Sequence, residues 1–463
     1  MPLSDVPLAV ADHTERAGQY VLFRDYYHGR HQHPYATTAF RQKYDWLLKQ
    51  ARANKCHMVV RNFADRVSLS AWSGAGAKRA DAVAEQVGLR KVLNLATKEA
   101  WRAGDAYVLA WPGKDGTVKA HYHRADAAGF KLSEGDPDAA DWFYKIWVAS
   151  DGVGRVNLYY PDRVERYATR HAIRQQGTTS VMWPQDEQGY APYDADAEGD
   201  TITYGTQGVP SFDGRIPWVH MPLEPEEQGG YGRSVLTDVV PLQDGLNHTL
   251  ASLIVGVEQF GAPLRYLLNY APNTYIDPNT GKPTEEALRF DETRNRIFGV
   301  KGAGPFGQLD PPDSSNLLAV LEWFSAEIAN EVGIPVSDIS PDLGNIPSGT
   351  ALRVLAAART ASVNDFTETI TPAVGGLMHL LGVPDTWPTW VDPAPTDEKE
   401  RWEIAVQQQD AGVSFQEAMR GMGKDEADID RMIAEKAAEG ANVGRVAVEA
   451  FRQGQDPAAA LRG

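Results

Sequence analysis

The sequence is poor in cysteine and in long apolar runs, and each shortage excludes a class of protein. Among 463 residues there is one cysteine, Cys56, so no disulfide can form within the chain. Cys56 lies in the apolar run CHMVV, which predicts a small buried residue and not a catalytic thiol. The longest apolar run, LIVGV at Leu253–Val257, is far too short to cross a bilayer, so we expect no membrane partner.

The chain also lacks an excess of positive charge. It carries 45 Lys and Arg against 62 Asp and Glu, a formal net charge of −17. A protein that grips DNA through its phosphates normally presents a basic surface, so tight nucleic-acid binding is not expected. A surface past which DNA slides remains compatible with this charge. The first residues, MPLSDVPLAVADH, lack the basic segment and long apolar core of a signal peptide, so we expect folding in a reducing cytoplasm.

A glycine-rich loop resembles a nucleotide site but lacks its essential residue. The segment Gly344–Thr350 has the pattern G-x-x-x-x-G-T, in which Thr350 stands where a phosphate-binding loop requires Lys. The residues before Gly344 predict a helix and a loop, whereas a phosphate-binding loop follows a buried strand. We therefore favour a loop that leads into a helix capped by Ser348 or Thr350, and keep a cryptic nucleotide hydrolase as the alternative.

The sequence gives only weak signals for a metal site or a catalytic site elsewhere in the chain. His28, His31 and His33 have a spacing that could ligate zinc, but no cysteine or second cluster accompanies them, so an exposed or interface turn is favoured. His121 and His123 alternate along one predicted strand and are expected at the surface. The sequence contains no paired-carboxylate, nucleophile-elbow or H-E-x-x-H motif. We predict no enzymatic activity, no cofactor and no metal site.

The first part of the chain predicts one α+β domain. Helices are expected over much of residues 15–70 and over Lys78–Ala103. Alternating apolar residues on either side of tight turns then predict two hairpins and a further strand, in YVLAW with TVKAHYH, in FYKIWVA with GRVNLYY, and in GRIPWVHMP. The polar stretch between Arg174 and Gly208 predicts a long surface loop.

The second part predicts long helices. An apolar stripe indicates a helix over Ser234–Phe260, with Pro241 expected to kink or restart it. Short strands and turns fill Gly261–Pro312, and a second helix follows up to Val332. A helix over Thr350–Leu381 should kink at Pro372 and the following glycine pair. One returning strand is expected in TWPTWVDP, and then a charged helical tail.

The order of these elements resembles the portal proteins of tailed bacteriophages, which form the head–tail connector. RDYYHGRHQH and NKCHMVVRNFADRVSL resemble the N-terminal signature of portals from siphoviruses infecting actinobacteria. GRSVLTDVVPLQDGLNHTL is similar to the entry into a portal stem, and IPVSDISPDLGNIPSGTALR to a tunnel loop and the start of its helix. WVDPAPTDEKERWEIAVQQQDAGVSFQEAMRGMGKDEADIDRMIAE is similar to the strand and helices that lead into a portal crown.

The resemblance covers Asp25 to about Ala437 and implies an α+β portal fold with a wing, long stem helices, a small β-rich clip, a kinked tunnel helix and a short helical crown. The implied boundaries are 1–232 for the wing, 233–260 for the first stem helix, 261–312 for the clip, 313–332 for the second stem helix, 333–349 for the tunnel loop, 350–382 for the tunnel helix, 383–395 for a returning wing strand, and 396–463 for the crown and tail.

The resemblance also implies a function. It predicts a dodecameric ring of this chain at the unique capsid vertex, as the channel for packaging and ejecting double-stranded DNA. The implied partners are the terminase large subunit, the head–tail adaptor, the major capsid protein, the scaffold, and DNA that passes non-specifically. The protein would assemble in the host cytoplasm and reside in the virion. The remaining alternative is another head–tail structural protein, although adaptors and stoppers are usually smaller.

The implied site residues form three groups. The tunnel loop would line the channel through Asp342, Leu343, Gly344, Asn345, Ile346, Pro347, Ser348 and Gly349. Channel-facing candidates are Asp238, Asp244, Glu258 and Arg353. The clip would meet its partners through Asn273, Asp277, Lys282, Glu285, Glu286 and Arg289. Because no Lys or Arg occurs in Ser234–Phe260, we expect this stem helix to repel DNA phosphates. None occurs in Gly333–Gly349 either, so we expect the loop to contact DNA sterically without holding a phosphate.

Overall fold

The structure, a computed structural model, describes residues 5–31, 52–173, 175–176, 180–193, 201–206, 209–227, 230–260, 264–268, 275–276, 283–284, 297–300, 307–309, 315–340, 349–394, 398–422 and 428–435. Its helices are α1 Asp5–Tyr27, α2 Cys56–Ala64, α3 Ala77–Gln86, α4 Leu89–Ala103, α5 Leu236–Phe260, α6 Ser315–Glu331, α7 Val336–Ile339, α8 Gly349–Leu355, α9 Ala357–Leu380, α10 Glu398–Asp410 and α11 Phe415–Gly421.

Its strands are β1 Leu69–Ser73, β2 Asp105–Pro112, β3 Val118–Arg124, β4 Ala128–Ser133, β5 Asp136–Val148, β6 Val153–Tyr159, β7 Arg163–Ala172, β8 Gln175–Gln176, β9 Ser180–Val181, β10 Tyr190–Pro192, β11 Thr201–Thr203, β12 Trp218–Pro222, β13 Leu264–Leu268, β14 Tyr275–Ile276, β15 Pro283–Thr284, β16 Ile297–Val300, β17 Gly307–Leu309 and β18 Trp387–Trp390.

Both predicted hairpins are confirmed, as β2 with β3 and β5 with β6. The strand predicted in GRIPWVHMP is β12, which pairs with β2, so β12, β2 and β3 form one antiparallel sheet. A second antiparallel sheet has the order β10-β7-β6-β5-β4, with β11 also paired to β7. The prediction of a long surface loop over Arg174–Gly208 is therefore wrong in part, because two short strands of that stretch extend the second sheet.

The helix predicted over Lys78–Ala103 is divided into α3 and α4. The division falls at Gly88, whose φ of 65° is a left-handed conformation that a residue with a side chain adopts only with strain. The segment after Gly88 then restarts as α4, which buries an apolar face that includes Leu89, Leu93 and Trp101.

The main core joins the α1–α4 helices to the long helices of the second half. Its buried members include Phe63 of α2, Trp101 of α4, Val239 of α5, Ile328 of α6 and Phe366 of α9. Phe63 stacks on Trp101 with ring centroids 4.4 Å apart. A separate aromatic cluster fills the space between the two sheets, which explains much of the tryptophan content as packing.

The stem-like helix α5 is continuous through Pro241, so the predicted restart there is wrong. Pro241 is exposed to solvent in the early part of the helix, where its missing N–H removes one backbone bond without forcing the helix to end. Farther along, α5 packs against α6. Gly245 permits that approach, because a Cβ at this position would lie 2.5 Å from the ring of Phe324.

The helix predicted over Thr350–Leu381 is interrupted at Ala356, between α8 and α9, and α9 continues through Pro372. Gly375 serves packing, since an added Cβ would lie 2.5 Å from the ring of Trp387 on β18. The predicted returning strand is present as β18, and it pairs antiparallel with β1 near the start of the chain. The predicted short strands of Gly261–Pro312 include β13, which lies between β16 and β17.

The helices of the charged tail form a small cluster of their own. Ser414 caps α11, because its hydroxyl accepts a hydrogen bond from the backbone N–H of Glu417 at 3.2 Å. The buried side chains of this cluster come from α10, α11 and the described residues after them, and they include Ala405, Met419 and Ile429. The sequence prediction of helices in this tail is confirmed for α10 and α11.

The backbone at Gly232 passes so close to the backbone at Gly104 that any side chain at position 232 should destabilise the fold. A Cβ there would lie 2.1 Å from the carbonyl oxygen of Gly104, which already accepts a hydrogen bond from Leu223 N at 2.7 Å. We expect Gly232→Ala to lower the free energy of unfolding by about 3 kcal/mol, because backbone must shift on both sides. Thermal unfolding followed by circular dichroism measures this change.

Gly18 supplies the matched control. It is exposed in α1 and has no atom within 4 Å of an added Cβ. Gly18→Ala should leave the melting temperature unchanged or raise it, since alanine is favoured over glycine inside a helix. Equal melting temperatures for the two variants would contradict the close crossing at Gly232.

Candidate functional site

Only part of the predicted site lies among the described residues. The tunnel-loop residues Asp342–Ser348 and the six clip residues Asn273, Asp277, Lys282, Glu285, Glu286 and Arg289 lie outside them. Gly349 begins α8, and the backbone of Glu258 belongs to α5. The structure therefore places the side chains of Asp238, Asp244 and Arg353, together with the helices that lead into and out of the loop.

The channel-facing prediction is wrong for Asp244. This carboxylate is buried inside the protomer and accepts hydrogen bonds from the hydroxyl of Tyr26 at 2.7 and 2.8 Å. It lies on the face of α5 that is turned towards α1, so it cannot contribute charge to an open channel. The sequence pattern missed this because a carboxylate on a long helix is usually assigned to the solvated face.

Asp238 and Arg353 are placed differently. Asp238 is partly exposed, and its two oxygens lie 2.6 and 2.8 Å from Nη2 of Arg233, just before the helix. This ion pair balances the charge of Asp238 at the surface, where such a pair adds little stability. Arg353 is exposed on α8, close to the loop in sequence. It remains a candidate for contact with whatever passes the loop.

A buried arginine ties together the two sides of the loop. Arg359, in the first turn of α9, forms an ion pair with Asp338 of α7, so residues just before and just after the loop are joined directly. The same guanidinium donates to the side-chain oxygen of Asn62 on α2 at 3.0 Å. Because Arg359 is almost fully buried, removal of either partner would leave a desolvated charge, which is strongly destabilising.

A second set of contacts fixes α5 against the segment that precedes α2. The side-chain amide of Gln243 accepts from the backbone N–H of Lys55 at 2.7 Å and donates to the carbonyl of Ala53 at 2.7 Å. Asn247, one turn later, accepts from the N–H of Ala53 at 3.1 Å. Lys55 in turn donates its ammonium to the carbonyl of Ile339 at 2.8 Å, so the segment 53–55 connects α5 to α7.

The histidine cluster proposed from HGRHQH does not form a metal site among the described residues. His31 is buried, stacks on Tyr26 with centroids 4.2 Å apart, and places Nε2 3.0 Å from the amide nitrogen of Asn247. His33 lies outside the described residues. Within the part of the chain that the structure describes, no group of three or more His, Cys, Asp and Glu could hold a metal ion.

Cys56 has the properties of a packing residue. It is fully buried at the start of α2, where its sulfur lies 3.9 Å from Oε1 of Gln243. Burial, together with the nearby charge of Asp244, raises the pKa of its thiol to about 12, so little thiolate exists at neutral pH. The prediction of a buried, unreactive cysteine is confirmed for its burial.

His123 departs from its prediction. It was expected at the surface, but it is half-buried on β3, with its ring 5.0 Å from that of Trp218. Burial, and then the positive charge of Lys145, lower the pKa of its imidazole to about 3. Strand alternation placed His121 and His123 on the same face but could not show that a neighbouring sheet covers one of them. His121 is exposed, as predicted.

The comparison with known protein families defines the class. A family model described as "Phage portal protein, SPP1 Gp6-like" matches residues 9–441. The chain is therefore a phage portal protein, a component of the head–tail connector. Within that class it belongs to the SPP1 Gp6-like family. This family is structural and non-enzymatic, as the lack of catalytic motifs predicted.

Several solved structures are similar to this chain at low sequence identity. A chain from the neck of an empty GTA particle computed with C6 symmetry is 14% identical, with a TM-score of 0.43, 80% coverage of this chain and 91% of that chain. A chain from the virion of a native gene transfer agent particle is 14% identical, with a TM-score of 0.42, 80% coverage of this chain and 90% of that chain. A chain from the neck of a native GTA particle computed with C12 symmetry is 13% identical, with a TM-score of 0.40, 83% coverage of this chain and 92% of that chain. No curated protein matches the chain.

The ion pair that spans the loop can be tested by truncation. Arg359→Ala leaves Asp338 and Asn62 without this partner, so we expect the free energy of unfolding to fall by about 3 kcal/mol. Denaturant unfolding followed by tryptophan fluorescence measures the loss. The exposed Arg353→Ala is the matched control on the neighbouring helix, and its unfolding should change by less than about 0.5 kcal/mol.

The double variant Arg359→Met with Asp338→Asn separates pairing from packing. It removes both charges while keeping apolar volume, so it should be more stable than Arg359→Ala alone. Equal stability of Arg359→Ala and Arg353→Ala would contradict the assignment of a structural role to the buried pair.

Proposed function

We propose that the chain forms a homododecameric ring at the unique capsid vertex, and that double-stranded DNA passes through its centre during packaging and ejection. The observation that carries the proposal is an apolar surface on the helices that flank the loop. Its members are large hydrophobic side chains exposed on one protomer: Val257 of α5, Leu318, Val320 and Trp323 of α6, and Val354 and Leu355 of α8.

The exposed side of α6 is unlike an ordinary surface helix. Its inner side is used within the protomer, where Ser325, Ile328 and Ala329 are buried. Leu318 and Trp323 are nevertheless 50% and 54% exposed. Isolated surface hydrophobic residues are common, but a group of them on the packed helices α5 and α6 favours an interface. A second copy of the chain is the proposed occupant, because family membership makes a ring of identical subunits the expected assembly.

The charges of the same helices suit a channel that does not hold DNA. Neither α5 nor α6 contains Lys or Arg, and Glu322 and Glu331 of α6 are exposed. A wall of this composition repels phosphates over roughly a Debye length, about 8 Å at physiological ionic strength. These glutamates replace Asp244 as candidates for the repulsive surface.

The remaining roles follow from the family resemblance and form part of the proposal. The loop Asp342–Gly349 would be the tunnel loop that contacts DNA sterically, with Arg353 and Glu258 near it. The clip, residues 261–312, would bind the terminase large subunit and later the head–tail adaptor. The wing would meet the major capsid protein and the scaffold. Assembly would occur in the host cytoplasm, and the finished ring would reside in the virion.

The family match weighs against both alternative functions, another head–tail structural protein and a nucleotide hydrolase. Another head–tail structural protein is no longer needed as an explanation, since the portal model spans residues 9–441. The nucleotide hydrolase loses its support, because Thr350 replaces the required Lys and the family is non-enzymatic.

The origin from a phage of actinobacteria rests on the segments RDYYHGRHQH and NKCHMVVRNFADRVSL alone and stays part of the proposal. Among the described residues, no helix is both long and apolar enough to cross a membrane.

Trp323 provides the test of ring assembly. Trp323→Glu would bury an unpaired charge at every subunit contact, at a cost of about 3 kcal/mol each, so rings should be absent or incomplete. Negative-stain microscopy and native mass spectrometry detect this. Met182→Glu is the control, since Met182 is 62% exposed and directly follows β9, far from these helices in the sequence. Normal rings from Trp323→Glu would refute the proposed interface.

The loop can be tested separately from assembly. Deletion of Leu343–Pro347 should leave the ring intact, because the buried contacts of Arg359 and Gln243 lie outside the deleted residues. Packaging or retention of full-length DNA should be impaired when the variant replaces the wild-type protein in phage assembly. A deletion variant that packages and holds full-length DNA normally would show that the loop has no role in DNA passage.

A further inference from the structure

Helix α1 is connected by polar contacts to the residues that lead into the stem-like helix α5. These residues, 230–236, are called the entry segment, and Leu236 is the first residue of α5. Asp12, Arg16 and Tyr20 follow one another along α1 at intervals of four, so they lie on one side of the helix. Each of the three belongs to a chain of contacts that ends in the entry segment.

The first chain of contacts runs through Asp105, the first residue of β2. Its carboxylate is fully buried. Oδ2 accepts a hydrogen bond from the hydroxyl of Tyr20 at 2.6 Å, and Oδ1 accepts one from the backbone N–H of Gly232 at 2.8 Å. His220 on β12 places Nε2 2.6 Å from the same Oδ1. A buried carboxylate is tolerated only when donors surround it, so α1 and the entry segment must both keep their positions around Asp105.

The second chain of contacts runs through Tyr231, the residue before Gly232. Its hydroxyl lies 3.0 Å from Oδ2 of Asp12, and the guanidinium carbon of Arg16 lies 3.6 Å from the centre of its ring. Arg16 also pairs with Asp12 at 2.7 Å and donates to the hydroxyl of Tyr20. The two chains of contacts are therefore joined on α1, and a displacement of this helix acts on both of them.

The entry segment itself is closely held. Gly232 crosses the backbone of Gly104 with no room for a Cβ. The hydroxyl of Ser234 donates to the carbonyl of Arg102 at 2.6 Å and accepts from the N–H of Leu236 at 3.0 Å. Coupling between distant groups is carried by such networks of packed and hydrogen-bonded residues. A shift at Gly232 would thus reach the first turn of α5.

Other polar contacts of α1 attach it elsewhere and provide a comparison within the same helix. Asp5 accepts a hydrogen bond from the hydroxyl of Tyr160 at 2.6 Å, and Arg24 pairs with Asp126 at 2.6 Å. Among the contacts described for Tyr160 and Asp126, none leads to the entry segment. Cutting one of these contacts would loosen α1 without separating it from Gly232.

We propose that α1 is a coupling helix, which sets the position of the start of α5 through Asp105 and Tyr231. A molecule that displaces α1 would then also displace the first turn of the stem-like helix. The coupling acts within one protomer, so it requires neither the proposed ring nor the proposed channel.

Hydrogen exchange of the full chain, followed by mass spectrometry, tests the connection. Tyr20→Phe and Tyr231→Phe each remove one hydroxyl and keep the ring. In the double variant we expect the amides of residues 230–240 to exchange about tenfold faster, because two hydrogen bonds that hold the entry segment are lost.

Tyr160→Phe is the matched control. It removes the same atom from a contact that α1 makes elsewhere, so residues 230–240 should exchange as in the wild type. If exchange in residues 230–240 were the same in Tyr160→Phe and in the double variant, the proposed coupling would be overturned.

A change on α1 alone tests whether an effect is transmitted. Gly18→Ala strengthens α1, and its added Cβ meets no atom within 4 Å. We expect it to slow exchange in residues 230–240 about threefold in the wild-type background and to leave it unchanged in the Tyr20→Phe, Tyr231→Phe background. Strands β1 and β18, which pair with each other, serve as the reference segment and should be unaffected in both backgrounds.

The transmission test has two outcomes that reject the proposal. Equal slowing in residues 230–240 and in β1 and β18 would show a general gain in stability. Slowing that persists in the double variant would show that Asp105 and Tyr231 do not carry the effect. Either single variant is milder than the double variant and should reduce the slowing in part, so the test does not depend on the double variant being stable.

Discussion

The arrangement of the central helices depends on one buried charge, the guanidinium of Arg359. A cation with almost no exposure is tolerated only when it is paired and hydrogen-bonded, and Asp338 and Asn62 supply both requirements. Since these residues belong to α7 and α2, the charge fixes three elements relative to one another. The two sides of the loop are therefore held in place by the protomer itself, before any neighbouring subunit contributes.

Directional hydrogen bonds fix the position of α5, in addition to the elements that the ion pair fixes. Apolar packing between α5 and the first half of the chain would allow the helix to slide by a turn at modest cost. The amides of Gln243 and Asn247 bond to specific backbone groups of Ala53 and Lys55, so only one position of α5 satisfies all of them. The inner side of the helix layer is thereby fixed by polar contacts, while its outer side is left apolar.

Local sequence pattern was enough to predict the helices and strands that short-range features of the sequence determine. The hairpins β2–β3 and β5–β6 followed from alternation and turn residues, and β18 followed from a short aromatic run between prolines. The break at Ala356 could not be predicted, because no glycine or proline marks it and the tertiary contacts of Arg359 decide where α9 begins. Sequence periodicity pointed instead to Pro372, which α9 accommodates.

The candidate site was harder to predict than the fold for the same reason. Asp244 and His123 look like surface residues in sequence, and only the approach of α1 to α5 and of one sheet to another buries them. Arg359 did leave a signal, since it occupies the helical stripe that continues with Val363 and Phe366, where an apolar residue is expected. A charged residue in such a stripe indicates a buried partner, but it does not identify Asp338.

The interruption at Ala356 separates α8, which follows the loop, from α9, and this bears on how α8 would respond to DNA passing through the proposed ring. Arg359 anchors the first turn of α9 through its buried ion pair, whereas Val354 of α8, on the other side of Ala356, is exposed. A change in the φ and ψ angles of this one residue would redirect α8 and leave α9 in place. In the proposed ring, each subunit would then turn its own α8 independently, so a round channel would follow the grooves of a helical, non-round polymer without a change in its outer wall.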